Sequence, residues 1–202
     1  MRRHKTGLLF GSFNPVHIGH MALVSYFLAF TDIDDLQLVL SPHNPLKKQR
    51  SLAGEHHRHA MLELALAAYP GMPVRVNTVE LELPRPSYTV NTLTELTGSN
   101  PDVDYVLLIG ADSLAGIDKW KDYGKILANF DVYVYPRYGF DSDSIVEQYR
   151  DYDVKMLPAP IIDVSATFIR NSVVNGHNLQ TCVPPGVWDY MVKHKVYTID
   201  NI

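Results

Sequence analysis

The chain has 202 residues, 46% of them hydrophobic and 20% charged, with a formal net charge of −4 and one cysteine. That length supports one compact domain with a sizeable core, read here over residues 1–202. The acidic balance argues against a nucleic-acid binder, which carries a strongly basic domain. A lone Cys182 excludes an internal disulfide framework and any multi-cysteine zinc site, so a reducing compartment fits best.

Basic residues open the chain ahead of a short apolar stretch, a pattern that can mimic a signal peptide. The run breaks at Gly11-Ser12 and Asn14-Pro15 follows, too early for an h-region and with no small-residue cleavage pattern. The apolar run from Met21 to Phe30 falls well below the ~18 residues that a membrane span needs. A cytoplasmic protein with no membrane association is expected. The sequence carries no signal for its oligomeric state.

Strand-like and helix-like segments alternate along the chain. The candidate strands are "TGLLFGS", "LQLVLSP", "VRVNTVEL", "DYVLLIGA", "DVYVYPR" and "VKMLPAP". Several are nearly continuous apolar runs, as expected of strands in a parallel sheet covered on both faces. Helices are predicted over residues 20–30, 55–69, 89–96 and 119–128, and the chain closes with a helical part from Ser165 onward. "HAMLELALAAY" is rich in Ala and Leu and stops at Pro70-Gly71. "SPHNPLKKQRSLAGEHH" reads as a loop, and "FDSDSIVEQYRDYD" as an acidic surface helix with its flanks. Together these imply an α/β fold, a Rossmann-like doubly wound parallel sheet with helices on both faces and a helical C-terminal part.

Such sheets bind ligands beyond the carboxyl ends of their strands, near the switch in strand order. After the first strand comes "GSFNPVHIGH". Gly11 permits an unusual conformation or a close ligand approach, and Gly19 allows tight packing where a helix begins. A helix N-terminus offers free N–H groups and partial positive charge, which favour phosphate; His17 and His20 would add donors. Neither common phosphate loop, G-x-x-x-x-G-K-[ST] or G-x-G-x-x-G, occurs here. Standing alone, the segment reads equally well as helix-capping loop chemistry. Zinc lacks a completing Cys or acidic ligand nearby. Near the other end, "VSATFIRNSV" follows the last strand, with Ser165 as N-cap candidate, Thr167 in the first turn and Arg170 beyond it. Taken alone, that too is capping plus a surface arginine.

Taken as a pair, the two segments resemble a known family. "HIGH" is similar to the H-x-G-H signature of the nucleotidyltransferase superfamily, and "VSATFIR" to its late I-S-S-T-x-x-R signature. "RPSYTVNTL", "LLIGADSL" followed by "DKW", and "HHRHAMLELAL" resemble bacterial nicotinate mononucleotide adenylyltransferases over nearly the whole chain, from Gly7 to about Tyr197. Where that family usually has G-[GT]-[TS]-F-D-P, Asn14 replaces the Asp; Val164 and Ala166 depart from the late signature.

The resemblance implies transfer of AMP from ATP to nicotinate mononucleotide, giving deamido-NAD and pyrophosphate in NAD biosynthesis. It implies His17, His20 and Arg170 as catalytic residues. ATP would be held by Gly11, Ser12, Phe13, His20, Lys48, Gly110, Asp112, Ser165, Thr167 and Arg170, and the mononucleotide by Ser87, Tyr88, Thr89, Gly116 and Trp120. Asp112 also reads as a helix N-cap, Trp120 as a packing residue, and Lys47 stands beside Lys48 as an equal candidate. His57 and Arg58 in "EHHRH" would face the substrates. Mg²⁺ would travel with the phosphates and water, with no protein metal ligand. Three rivals stay open: a superfamily relative acting on nicotinamide mononucleotide or phosphopantetheine, a non-catalytic nucleotide sensor, and a histidine metal module.

Overall fold

A computed structural model describes residues 2–42 and 52–198. Six strands form one sheet in the order β3-β2-β1-β4-β5-β6, and every neighbouring pair is parallel. The strands are β1 (His4–Gly11), β2 (Asp35–Leu40), β3 (Val74–Asn77), β4 (Val103–Gly110), β5 (Asp131–Tyr135) and β6 (Val154–Met156). The helices are α1 (Ile18–Phe30), α2 (Glu55–Ala67), α3 (Val79–Glu82), α4 (Thr89–Ser99), α5 (Ala111–Leu114), α6 (Tyr123–Asn129), α7 (Ser142–Glu147), α8 (Ala166–Val174) and α9 (Val187–Lys193). The doubly wound fold expected from the alternation is therefore present, with α8 and α9 forming the helical C-terminal part.

The continuous apolar runs are explained by two cores, one on each face of the sheet. Leu36, Leu38 and Leu40 of β2 face one, with Phe27 and Met61. Leu8 of β1 and Leu107 of β4 face the other, with Leu93 and Ile126. Alternate residues of a strand point to opposite faces, so a strand covered on both sides is apolar throughout. Each fully buried leucine contributes about 2 kcal/mol of transfer free energy.

Strand order reverses between β1 and β4, which pair directly with Leu9 opposite Leu108. The chain leaves β1 at Gly11 and β4 at Gly110, so these two glycines flank the switch point.

Several boundaries differ from the sequence reading. The third strand stops at Asn77, because the Asn77 side-chain carbonyl accepts the Val79 N–H at 2.8 Å and turns the chain into α3. The helix predicted over residues 119–128 is a 3₁₀ turn at Ile117–Lys119, extended backbone at Trp120, and α6. Asp122 has φ 52, which interrupts any continuous helix there. The sixth strand ends at Met156, ahead of Pro158 and Pro160, which cannot donate to a ladder. The short helix α5 is unforetold. Its N-cap is Gly110, so Asp112 sits inside the first turn and is not the cap.

Candidate active site

The segment leaving β1 is built around an aromatic ring. Phe13 has φ 43, a left-handed conformation that costs a non-glycine residue on the order of 1 kcal/mol. Burial offsets that cost, since Phe13 is only 2% exposed. Its ring lies over Gly11, where a Cβ would meet ring carbons at 2.9–3.1 Å. The unusual backbone thus belongs to Phe13, and Gly11 provides the close approach. On its other side the ring meets His20 edge-on, with centroids 5.0 Å apart.

His17 is the N-cap residue of α1. Its backbone N–H donates to His20 Nδ1 at 3.2 Å. An accepting Nδ1 carries no proton, so the His20 proton sits on Nε2, the donor nitrogen of this ring. The two rings lie 3.8 Å apart. His17 is 7% exposed, and burial, helped by the positive charge of Arg137, pushes its pKa down from 6.5 to about 4. It is neutral at physiological pH. Gly19 fits this packing, because a Cβ there would crowd His17 Nδ1 at 3.0 Å, while its distance to the Val164 carbonyl, 3.7 Å, is ordinary contact.

That second contact brings the entrance of α8 beside the entrance of α1. Ser165 caps α8, its Oγ accepting the Phe168 N–H at 3.2 Å. Arg170 donates to the Asn14 carbonyl at 2.8 Å and to Thr167 Oγ1 at 3.2 Å. The guanidinium therefore joins two segments 156 residues apart. Burial lowers its pKa, but a guanidinium stays charged. Asn14 is itself buried, and its Oδ1 accepts from the Ala53 N–H at 3.1 Å and the Tyr197 hydroxyl at 2.9 Å.

Across the switch point, Asp112 and Arg137 meet over Gly110. Their Oδ1 and Nε atoms are 3.5 Å apart, and a Cβ on Gly110 would overlap Asp112 Oδ1 and lie 3.0 Å from Arg137 Nε. Arg137 also stands 5.2 Å from the centroid of the Tyr135 ring. His17, His20, Asp112 and Arg137 line one cleft of about 390 Å³, whose outer wall includes Tyr138 and Ile161. The sequence reading missed Arg137. Its signal was available, since "PR" directly follows the fifth strand, where ligands of such sheets bind.

The second group of expected residues gathers at the start of α4. Tyr88 is its N-cap residue and Thr89 its first residue, and Ser87 Oγ is buried without a hydrogen-bond partner among the described residues. Tyr88 and Trp120 pack against the same core, and the Lys121 ammonium lies 4.8 Å from the Tyr88 ring centroid. This contact links the segment at 120 to the entrance of α4. Gly116 precedes the 3₁₀ turn, and a Cβ there would meet nothing within 4 Å, so no close packing demands a glycine. Lys47 and Lys48 lie outside the described residues.

Two expectations about α2 are corrected. Arg58 is fully buried and donates to the carbonyls of Ala53, Ser12, Ser41 and Pro42 at 2.7–3.1 Å. It holds the loops behind the cleft and does not face a substrate. His57 turns to α9, its Nδ1 3.0 Å from the Tyr190 hydroxyl. Both orientations follow from where α2 packs, which the local pattern does not encode. Among the described residues no group of three or more His, Cys, Asp or Glu side chains could hold a metal ion, and no helix is long and apolar enough to cross a membrane.

Comparisons with known proteins agree with this geometry. The Cytidylyltransferase-like family model matches residues 8–172. A probable nicotinate-nucleotide adenylyltransferase of Flavobacterium johnsoniae is 40% identical over 193 residues, covering 96% of this chain and 98% of the relative. One from Bacteroides fragilis is 36% identical, covering 96% and 94%. The fold matches that of Plasmodium falciparum nicotinic acid mononucleotide adenylyltransferase complexed with NaAD, at TM-score 0.80, 16% identity and coverage of 96% and 97%. With the H-x-G-H helix entrance, the capped α8 and Arg170 between them, the chain belongs to the Cytidylyltransferase-like family and, within it, to the nicotinate-nucleotide adenylyltransferases.

Proposed function

We propose that the protein transfers AMP from ATP to nicotinate mononucleotide, producing deamido-NAD and pyrophosphate in NAD biosynthesis. The observation that carries the reading is the Arg170 bridge, which fixes the α8 entrance against the loop that leads into the His17–His20 helix entrance. The two helix N-termini lie side by side, with Arg170 joining their segments and Arg137 in the cleft that His17 and His20 line, a set of donors that suits a triphosphate. The relatives named as nicotinate-nucleotide adenylyltransferases match this chain nearly end to end.

In the reaction a 5′-phosphate oxygen of the mononucleotide attacks the α-phosphorus of ATP. The new P–O bond forms as the bond to the α,β-bridging oxygen breaks, and pyrophosphate leaves in line. The attacking phosphate is already anionic at neutral pH, so no proton has to be removed by a base. Catalysis then rests on positioning and on stabilising the charge that gathers on the leaving oxygen. His20 donates from Nε2 to the α- and β-phosphate oxygens. His17, neutral and buried, shapes the cleft and fixes His20 through its backbone N–H. Arg170, the hydroxyls of Ser165 and Thr167 and the free N–H groups at Ala166 and Thr167 hold the β- and γ-phosphates, with Arg137 on the facing side.

Mg²⁺ enters with ATP, where it would neutralise phosphate charge. Of the two carboxylates that line the cleft among the described residues, Asp112 and Asp163, the first is paired with Arg137, and two carboxylates are too few for a protein-built cage, which suits an ion held mostly by phosphate oxygens and water. Trp120 and the entrance of α4 receive the pyridine ring and its carboxylate. The single cysteine and the biosynthetic reaction support a cytoplasmic location.

The test is pyrophosphate release with ATP and Mg²⁺, supplying nicotinate mononucleotide, nicotinamide mononucleotide or phosphopantetheine. Preference for the first supports the reading, and turnover of phosphopantetheine alone refutes it.

A further inference from the structure

We propose that Tyr197 is a positioning residue for catalysis: its buried hydroxyl holds Asn14, and through Asn14 sets where Arg170 presents its charge to the triphosphate. The inference rests on the reaction proposed above and deepens its account of how the phosphate-handling groups are held.

The end of α9 delivers this side chain. Lys195 has φ 48, a left-handed conformation that reverses the chain after the helix, and the Val196 N–H donates back to the Met191 carbonyl at 3.1 Å. Val196 and Tyr197 therefore turn inward and are buried. The Tyr197 ring packs in the core that also holds Phe13 and Val16, the apolar residues flanking Asn14-Pro15. Phenylalanine would fill that core equally well. A buried hydroxyl is costly unless it is hydrogen-bonded, and the Tyr197 hydroxyl meets Asn14 Oδ1 at 2.9 Å. Asn14 Oδ1 also receives the Ala53 N–H at 3.1 Å, so it is the amide oxygen and the phenol must be the donor. Burial pushes the Tyr197 pKa up, against the pull of the Arg170 and Arg58 guanidiniums, so the donated proton stays in place.

The backbone of the same asparagine serves the catalytic side. Its carbonyl accepts from Arg170 at 2.8 Å, and the chain then runs on to His17, the N-cap residue of α1. One residue thus joins the Tyr197 and Ala53 bonds on its side chain to the Arg170 bond on its backbone. The tether from Tyr197 comes from 183 residues away. Losing it frees Asn14 to shift, and with it the acceptor that aims the guanidinium. A misplacement of about 1 Å caused far from the reacting atoms can cost as much as about 10²-fold in rate. Loss of one neutral hydrogen bond is expected to stay below that limit.

Steady-state kinetics and urea unfolding of the full chain test this on Tyr197→Phe, Arg170→Lys, the double variant and Tyr133→Phe. Tyr133 is a second buried tyrosine, whose hydroxyl donates to Asp32 ahead of β2, at the amino ends of the strands, so it reports the loss of a purely structural hydroxyl. Tyr197→Phe is expected to stay folded and to lower kcat by roughly 3- to 30-fold, with the KM for nicotinate mononucleotide unchanged. Tyr133→Phe lowers the unfolding midpoint and leaves kcat as it is. Arg170→Lys keeps the charge but loses the planar fork that can hold the Asn14 carbonyl and a phosphate together. In that background Tyr197→Phe lowers kcat by no more than about 2-fold, because the group through which it acts has already changed. An unchanged kcat in Tyr197→Phe, the same fold-loss with and without Arg170, or an equal fall in Tyr133→Phe overturns the assignment. Failure of the unmodified chain to release pyrophosphate from ATP with nicotinate mononucleotide overturns instead the reaction on which the inference rests.

Discussion

Replacing Arg58 by Met probes what holds the catalytic loops in place. The guanidinium is fully buried, and its four hydrogen bonds end on carbonyls of Ala53, Ser12, Ser41 and Pro42. None of these partners is a carboxylate, so the substitution strands no charge; it strands up to four carbonyl oxygens. Each buried acceptor left without a donor costs about 1–3 kcal/mol. Loop relaxation and entry of water recover part of this, leaving an expected loss of roughly 3–5 kcal/mol, the size seen when buried polar networks are broken. For a chain of this length that lowers Tm by roughly 6–20 °C. Urea unfolding followed by circular dichroism measures it directly, with midpoint and slope fitted separately. Arg58→Lys should recover only part, since an ammonium cannot span four acceptors in the plane of the guanidinium fork. A loss below about 1 kcal/mol in Arg58→Met would refute the reasoning, because it would mean the carbonyls find other donors at no cost.

His20→Ala should lower kcat by roughly 10²-fold or more, as for other transition-state donors, with only a small fall in the unfolding midpoint from the lost contact to the His17 N–H; an unaltered rate removes the role given to Nε2. The His17 pKa falls from 6.5 to about 4 on folding, so unfolding takes up a proton between those values. Its stabilising contribution is complete above about pH 6.5 and is lost as pH falls toward 4, by up to about 3 kcal/mol. Urea midpoints of the unmodified chain and His17→Gln, compared at pH 7.5 and 4.5, should show a distinctly smaller decline in the variant. Gly110→Ala places a methyl between Asp112 and Arg137 and should cost roughly 1–3 kcal/mol of stability. It should also raise the KM for ATP, and normal ATP kinetics would show that the pair can shift without consequence.

The order of the six strands and of the longer helices between them was legible in the amino acids, because a strand buried on both faces must be apolar throughout and a helix needs good formers and stop signals; the short α3 and α5 were not. The two helix entrances were legible as well. His17, Gly19 and His20, and later Ser165 and Arg170, are residue types that cap helices and donate to phosphates wherever they fall. Boundaries set by a single side chain were harder. Asn77 accepting the Val79 N–H and Asp122 at positive φ end elements that the local pattern would have continued.

What tertiary structure alone decided is direction and partnership. Arg58 and Arg170 are the same residue type near the start of a helix, yet one lies sealed among carbonyls and the other bridges two helix entrances. Arg137 becomes part of the cleft because β5 ends beside β4, and Lys121 meets Tyr88 because α4 and the segment at 120 pack on one core. Residue type and local pattern set what a side chain can do. Whether it is buried, and against which distant backbone, depends on packing between segments as far apart as Asn14 and Arg170, which no local window contains.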